Sequence, residues 1–226
     1  MQTSENLANI KLLIFDLDGT LYKIISPKFM GSAIYQDMRK NSIVFLSKKL
    51  GISEEEATKI FDRILVDYNK ELSIGFEKEF GINRYEYFNN AWNLDTNKYM
   101  VRDEKLIKIL NQLKKKYVLI VLTDAPKIWV ERVLATRGVS EIFGSNVLTG
   151  ESDIRKSFGN AFLLVAKKYG FAPQECMVIG DHKKNDIDFA KEVGMKTIYI
   201  GAEAYDKSDY SVKNIHDIAA ILGVEK

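Results

Sequence analysis

Short apolar runs alternate with amphipathic stripes through the second half of the chain. Residues 117–122 (Tyr-Val-Leu-Ile-Val-Leu) form a continuous apolar run, as expected of a strand that is covered on both faces. Before it, residues 103–116 carry leucine and isoleucine at helical spacing. Residues 177–179 and 197–200 are further apolar runs of strand length. This alternation predicts an α/β fold, a doubly wound, Rossmann-like parallel sheet.

More helices are predicted where turn residues bound an apolar stripe. They cover residues 126–138, 158–170, 185–193 and 215–222. Pro126 stands where the first of them can begin, and Gly138 where it can end. The stripe of the second starts at Phe158. His216 is then expected to be a surface residue of the last helix.

Residues 22–100 do not follow the alternation. Helical stripes cover residues 34–50, 57–68 and 85–92, and Ser53 with Glu56 forms a capping box before the second stripe. The first strand, residues 10–15, precedes this block. We therefore predict a Rossmann-like core made of residues 1–21 and 101–226, with residues 22–100 as an inserted helical domain. An insertion at that point is in the position of a lid.

The aromatic stripe of this insertion has two interpretations. Tyr85, Phe88 and Trp92 stand at helical spacing. They can pack inside the insertion, which is favoured because aromatic side chains dominate buried packing, or they can stack on a base.

Composition and charge exclude some classes of protein. The chain has 226 residues, of which 46% are hydrophobic and 28% charged, as in soluble globular proteins. Its net charge of +2 gives no strong field for a nucleic acid polymer or a membrane surface. The one cysteine, Cys176, rules out an internal disulfide and fits a reducing compartment. We find no signal peptide or membrane span, and expect a soluble, cytoplasmic protein.

The segment Asp16-Leu17-Asp18-Gly19-Thr20 follows the first predicted strand. Two carboxylates two residues apart share one side of an extended segment, and active sites of open α/β sheets lie at this end of the strands. Gly19 allows a sharp turn with no β-carbon in the way of a bound group. The pair suits a metal, a nucleophile, or a nucleophile with a proton donor. A structural turn is the alternative.

Two polar positions follow later elements on the same predicted edge. Thr123 and Asp124 end the second strand, where a hydroxyl and helix N–H groups can seat a phosphate, or where either residue can simply cap a helix. Lys156 can neutralise a phosphoryl group and a nearby carboxylate. Lys183 and Lys184 are rival candidates for that role.

Another acidic pair follows the predicted strand at residues 177–179. Gly180-Asp181 ends this strand, and Asp186 comes five residues later at the start of a helix. Two hard oxygen ligands that face a first-strand carboxylate can hold Mg²⁺ and leave positions for water and phosphate. The alternative for Asp186 is a favourable interaction with the helix dipole.

Taken together, these segments resemble the haloacid dehalogenase superfamily. Residues 16–21 resemble its first motif, Thr123 its second, Lys156 its third, and Gly180-Asp181 with Asp186 its fourth. The inserted helical block is similar to the helical cap of that superfamily. The first-motif ending Leu21-Tyr22 looks like the pyrimidine 5′-nucleotidase branch, which points to a nucleoside monophosphate as one substrate class.

The resemblance implies phosphoryl transfer through an aspartyl-phosphate. Asp16 would be the nucleophile, and Asp18 would protonate the leaving oxygen and later activate water. Mg²⁺ would be held by Asp16, Asp181, Asp186 and the backbone carbonyl of Asp18.

The resemblance also implies a phosphate seat. Gly19, Thr20, Thr123, Asp124 and Lys156 would surround the phosphoryl oxygens. The superfamily usually has a neutral residue at the position of Asp124. We therefore expect this carboxylate to turn away from the phosphate or to cap the helix that follows Pro126.

Several activities share these residues. Dehalogenating members need no Mg²⁺ and do not keep an aspartate at the position of Asp18, so a phosphatase of a small phosphorylated metabolite is favoured. A sugar phosphomutase keeps the same core residues and stays open. A catalytically silent protein that binds a phosphorylated ligand is the alternative outside enzymes.

Overall fold

In the computed structural model, which describes residues 7–26, 29–156 and 160–225, the apolar runs form one parallel sheet. Its strands are β1 (Leu12–Phe15), β2 (Val118–Leu122), β3 (Val147–Leu148), β4 (Cys176–Gly180), β5 (Lys196–Ile200) and β6 (Tyr210–Val212). The order across the sheet is β3-β2-β1-β4-β5-β6, and each neighbouring pair is parallel. The predicted α/β fold is confirmed.

The helices lie between and after these strands. They are α1 (Ala33–Leu50), α2 (Glu54–Asp67), α3 (Leu72–Phe80), α4 (Arg84–Ala91), α5 (Glu104–Leu113), α6 (Lys127–Arg137), α7 (Ser140–Phe143), α8 (Ala161–Tyr169), α9 (Phe189–Glu192) and α10 (Ile218–Ile221). Pro126 and Gly138 flank α6 as predicted, and Gly138 adopts the left-handed conformation. The predicted helix start at Phe158 lies outside the described residues.

The centre of the sheet aligns three strand ends. Phe15, the last residue of β1, pairs with Val121 of β2 on one side and with Ile179 of β4 on the other. Because all three strands run in the same direction, the residues that come after them emerge at one edge of the sheet. This register determines which polar residues can meet.

Both faces of β1 are buried, as its continuous apolar sequence requires. Leu12 and Ile14 belong to a cluster with residues of α8, including Phe162. On the other face, Phe15 makes an edge-on contact with Phe143 of α7, with ring centroids 5.7 Å apart. Burial of each such side chain contributes about 1.5–3 kcal/mol, so the sheet centre is a rigid support for the polar residues at its carboxyl edge.

The chain divides into two compact units. One consists of Met1–Lys23 with Met100–Lys226 and contains the sheet, and the other is Ile24–Tyr99 and contains α1 to α4. Within the helical unit, Ser32 caps α1, and Ser53 with Glu56 forms the predicted capping box of α2. A lid role for this unit stays a prediction.

The residues of α4 that are buried differ from those of the predicted aromatic stripe. Tyr85 is 49% exposed, whereas Tyr87 is 2% exposed and packs on Phe76 with centroids 5.0 Å apart. Tyr87 and Ala91, four residues apart, are the buried residues of α4. The prediction that Tyr85 packs inside was wrong. The face of α4 that is buried depends on how α4 packs against α1 and α3, and not on the spacing of its aromatic residues alone.

Other differences concern short elements. The helix α3 and the edge strands β3 and β6 were not predicted. The two strands have only two and three residues, which is too few to show a periodicity, and the apolar and polar residues of α3 form no clear stripe. The predicted helix over residues 185–193 instead begins with a π-helical segment, Lys183–Asp188, before α9. His216 lies in a 3₁₀ turn, Ile215–Asp217, where its side chain is 26% exposed and its imidazole contacts Asp103, so it is a half-buried residue and not a fully exposed one.

Candidate active site

Asp16 continues the sheet beyond the end of β1. Its N–H donates to the carbonyl of Ile179 at 2.9 Å, and the residue as a whole is 8% exposed. A tight turn comes next, in which the N–H groups of Thr20 and Leu21 both donate to the carbonyl of Leu17. The turn brings Asp18, which is half-buried, back beside the strand end.

Gly19 lies in this turn with a φ of +92°, a conformation that side chains disfavour. A β-carbon at this position would collide with the carboxylate of Asp181. The sequence predicted the sharp turn correctly. The group that needs the space is a carboxylate of the protein.

Lys156 is the lysine that reaches the carboxylates. Its ammonium donates to Asp16 Oδ1 at 2.5 Å and to Asp186 Oδ1 at 2.6 Å, and the side chain is 6% exposed. The rival candidate Lys183 has its ammonium over the rings of Tyr199 and Tyr205 instead.

Asp181 directly follows β4, and Asp186 lies in the π-helical segment after it. Asp186 is 1% exposed, and its Oδ2 accepts from the N–H of His182 at 2.9 Å. The wider π-helical turn places this carboxylate against the strand end, where a β-carbon at Gly180 would collide with it. Both close approaches explain why glycines stand at positions 19 and 180.

Three of the carboxylates can hold a metal ion. One oxygen each of Asp16, Asp181 and Asp186 lies within 4.8 Å of the others. Asp16 Oδ2 is buried and has no hydrogen-bond partner among the described residues. Buried carboxylate oxygens without partners are costly, and an all-oxygen donor set is what hard cations prefer. The residues present therefore fit a hard divalent cation.

The electrostatics of this cluster also favour a bound divalent cation. Burial raises the pKa of Asp16 well above its ordinary value against the opposing charge of Lys156. Burial, with the neighbouring charge of Asp186, raises the pKa of Asp181 to about 7. Burial disfavours the charged form of Lys156, but Asp16 and Asp186 outweigh it and raise its pKa. Four carboxylates around this ammonium leave excess negative charge that a divalent cation would offset.

Hydroxyl groups complete the same edge. Thr123 is buried, and its Oγ1 accepts from the N–H of Ala125 at 3.1 Å, which orients the hydroxyl at the start of α6. Thr20 is 2% exposed, and its Oγ1 has no hydrogen-bond partner within the described ranges. A buried hydroxyl in that state is suited to a bound ligand.

Asp124 binds the segment that carries Lys156. Its Oδ1 accepts from the backbone N–H of Lys156 at 2.9 Å, so it anchors the segment that carries the lysine. The N–H of Lys127 at the start of α6 is bound by Glu151 Oε1 at 2.8 Å. A residue on another loop therefore binds the start of α6, where capping was one of the two roles expected of Asp124.

Two aromatic residues contact Asp18, and sequence reasoning missed both contacts. The indole Nε1 of Trp129 donates to Asp18 Oδ1 at 2.8 Å, and the hydroxyl of Tyr22 donates to the same oxygen. Burial raises the pKa of Asp18, and these two hydrogen bonds oppose the rise. The signal in the sequence was weak, because Trp129 looks like an ordinary core residue of a helix.

Within the described ranges, every helix is too short or too polar to cross a bilayer.

Comparison with known proteins gives consistent matches. A model of the family described as "Hydrolase: haloacid dehalogenase-like hydrolase" matches residues 10–194. The chain is 25% identical to a glyceraldehyde 3-phosphate phosphatase of Methanocaldococcus jannaschii, over 94% of this chain and 97% of that protein. It is 31% identical to a phosphoglycolate phosphatase of Escherichia coli over 46% of this chain and 44% of that protein.

A solved structure matches over nearly the whole chain. A HAD phosphatase from Thermococcus onnurineus superposes with a TM-score of 0.64 at 25% identity, covering 96% of this chain and 99% of that one. The match therefore includes the sheet-containing unit and the helical unit.

Proposed function

Because the chain belongs to the haloacid dehalogenase-like hydrolases, we propose that it is a Mg²⁺-dependent phosphatase of a small phosphorylated metabolite. The observation that carries this proposal is the state of Asp16. This carboxylate is buried, and one of its oxygens accepts a hydrogen bond from Lys156. Its other oxygen has no partner among the described residues, and a second carboxylate, Asp18, stands two residues later. That arrangement suits a nucleophile with a neighbouring proton donor.

The proposed reaction has two displacements at phosphorus. Asp16 attacks the phosphoryl group, the bond to the leaving oxygen breaks, and Asp18 gives that oxygen its proton. A water molecule then attacks the aspartyl-phosphate, Asp18 accepts a proton from it, and the bond between phosphorus and Asp16 breaks. Inorganic phosphate is released and Asp16 is regenerated.

The remaining residues bind and orient the phosphoryl group. We assign this role to Lys156, Thr123, Thr20 and the backbone around Gly19, supported by the buried position of these side chains at one sheet edge. We keep Asp124 as a neighbour of this seat that positions Lys156 through its backbone.

Magnesium is the cation that we assign to the carboxylates of Asp16, Asp181 and Asp186, with the backbone carbonyl of Asp18 as a further proposed ligand. When bound, Mg²⁺ would offset the charge of the phosphoryl group and of the carboxylates. The all-oxygen donor set and the excess negative charge support this choice.

Asp18 supports a phosphatase over a dehalogenase. When a carbon–halogen bond breaks, the halogen leaves as a halide ion, which needs no proton. When a phosphoester is cleaved, the leaving alkoxide needs a proton. A carboxyl held beside the nucleophile is therefore of use in phosphoester cleavage.

The substrate class follows from the relatives by analogy. The relatives that match most of the chain are named for glyceraldehyde 3-phosphate, and a partial match is named for phosphoglycolate. We propose a short phosphorylated metabolite of this kind, in the cytoplasm. The nucleoside monophosphate suggested by Leu21-Tyr22 stays a second substrate to test.

The test is phosphate release by the purified protein with and without Mg²⁺. The panel contains glyceraldehyde 3-phosphate, phosphoglycolate, pyrimidine and purine monophosphates, sugar phosphates and p-nitrophenyl phosphate. We expect Mg²⁺-dependent release that falls roughly a thousandfold or more in Asp16→Asn, because the nucleophile is lost. Asp206→Asn, the same change at an exposed position, should keep wild-type activity.

Three results would contradict the proposal. Release that survives in Asp16→Asn would overturn the aspartyl-phosphate mechanism. Phosphoryl movement between hydroxyls of a sugar phosphate without release would indicate a mutase. Binding of phosphorylated ligands with no turnover would indicate a silent binding protein.

A further inference from the structure

We propose that Trp129 and Tyr22 are positioning residues that hold the Asp18 carboxyl in one orientation and confine its transferable proton to Oδ2. This inference rests on the proposed function, in which Asp18 protonates the leaving oxygen. Trp129 lies outside the four segments that resemble the superfamily motifs, and Tyr22 directly follows the first of them.

Both donors meet one oxygen. The Trp129 Nε1–H lies 2.8 Å from Asp18 Oδ1, and the Tyr22 hydroxyl donates to that same atom. An indole N–H can only donate, so Oδ1 must be an acceptor toward Trp129 in every protonation state. A carboxyl oxygen has two lone-pair positions, and two donors occupy both. While both groups donate to Oδ1, the neutral carboxyl carries its proton on Oδ2.

The two donors are themselves fixed. Trp129 is 0% exposed and Tyr22 is 3% exposed, and their rings meet edge-on with centroids 6.2 Å apart. Tyr22 follows Asp18 by four residues within the same turn, whereas Trp129 reaches it from α6, 111 residues away in sequence. Asp18 is thus oriented from its own turn and from a separate helix.

Such orientation matters where the leaving group needs a proton. An alkoxide leaving group is a strong base, so its departure depends on the placement of the acid. A p-nitrophenolate leaving group departs without a proton. Loss of a positioning residue should therefore slow an alkyl phosphate more than an aryl phosphate, whereas loss of general structure should slow both equally.

The test compares kcat/KM for these two substrate types, because kcat/KM covers the step in which the leaving group departs. The variants are Tyr22→Phe and Trp129→Phe, with phosphoglycolate as the alkyl phosphate and p-nitrophenyl phosphate as the aryl phosphate. We expect a loss of roughly 10- to 100-fold for the alkyl phosphate and under about threefold for the aryl phosphate, in the range typical of acid–base catalysis.

Pre-steady-state measurement gives a second readout. Asp18 also activates the water that hydrolyses the aspartyl-phosphate, so the variants should release one equivalent of nitrophenolate rapidly and then turn over slowly. In an Asp18→Asn background, neither substitution should change the ratio of the two kcat/KM values further, because the group they position is absent.

Two controls keep the result interpretable. Tyr87→Phe removes a buried hydroxyl that contacts Ser42 in the helical unit, and it should leave the ratio unchanged. Tyr22→Phe keeps the ring and tests the idea independently if Trp129→Phe is poorly folded, as judged by circular dichroism.

Equal losses for both substrates in a folded Tyr22→Phe variant, or the same shift of the ratio in Tyr87→Phe, would overturn the inference while leaving the phosphatase intact. A wild-type protein that releases no phosphate from either substrate would overturn the proposed function and, with it, this inference.

Discussion

At position 19, the absence of a β-carbon allows a turn and a carboxylate to occupy neighbouring space. The residue has a φ of +92°, and any side chain would meet Asp181. The glycine thus serves two needs that differ physically, the left-handed backbone and the close approach of a metal-ligand candidate.

A Gly19→Ala substitution should therefore affect more than stability. We expect a loss of about 1–3 kcal/mol in the free energy of unfolding from the strained φ, together with a fall of at least about tenfold in Mg²⁺ activation as Asp181 is displaced. Urea unfolding and activity as a function of Mg²⁺ concentration measure the two effects.

The matched control is Gly81→Ala. Gly81 also has a positive φ, of +64°, but a β-carbon there meets no atom within 4 Å. It should lose stability and keep the Mg²⁺ dependence of the wild type. The same shift in Mg²⁺ activation in both variants would refute the role assigned to the Gly19–Asp181 contact.

At the scale of elements, α6 is tied by its last residue to two other segments of its unit. Arg137 is 9% exposed and donates to the carbonyls of Leu21, at 3.1 Å, and Val101, at 2.7 Å. It also pairs with Asp103, which His216 contacts at 2.9 Å. Burial would raise the pKa of Asp103, but the N–H of Leu106 and these two partners hold it below its ordinary value.

Asp103→Asn should lower stability in a pH-dependent way. A lowered pKa in the folded state means that the charge stabilises the fold above the ordinary value of 3.8, and that this contribution is lost as the pH falls through the lower folded value. Asparagine can still cap α5, so the change isolates the charge. We expect a loss of about 1–3 kcal/mol at pH 7 that shrinks below about pH 4.

Urea unfolding of both proteins between pH 7 and pH 3.5 measures this difference. Asp62→Asn is the control, because Asp62 pairs with Arg39 at a side chain that is 53% exposed, where screening leaves little to lose. A difference for Asp103→Asn that stays constant over the whole range would show that charge is not the cause.

Elements with long stripes or clear caps were predictable from sequence, and short ones were not. The signals for α2, α5 and α6 were their periodicity and capping residues, which are local properties. The strands β3 and β6 have two and three residues, and they exist because a neighbouring strand offers hydrogen-bond partners. The π-helical segment is likewise selected by its surroundings, where Asp186 contacts both Lys156 and the N–H of His182.

For the molecule as a whole, we expect the acidic cluster to make stability depend on the cation that we assign to it. A ligand that binds the folded state alone adds about 2.7 kcal/mol at one hundred times its dissociation constant. Without a cation, the carboxylates of Asp16, Asp181 and Asp186 repel one another in a buried setting.

The effect of Asp181→Asn on the melting temperature should consequently change sign when the metal is added. In the presence of a chelator, we expect a higher melting temperature than that of the wild type, because one buried repulsive charge is removed. With Mg²⁺, the wild type should gain roughly 5–10 °C and the variant little or nothing. Calorimetry in EDTA and in excess Mg²⁺ gives both comparisons, and an equal Mg²⁺ shift in the two proteins would refute the assigned site.

The sequence by itself determined the type of fold and the edge at which its polar residues meet. Apolar runs and stripes are local patterns, and parallel strands place their carboxyl ends together. The position of Asp16, Thr123 and Asp181 directly after predicted strands was therefore enough to assign all three to one edge.

Only the tertiary structure decided which of the many polar and aromatic side chains complete that edge. Lys156 contacts the carboxylates and Lys183 lies over two tyrosines, although both are lysines in polar segments. Trp129 donates to Asp18 from 111 residues away, and no sequence spacing encodes such a contact. Side-chain direction depends on packing between elements that are distant along the chain, and this information is absent from local periodicity.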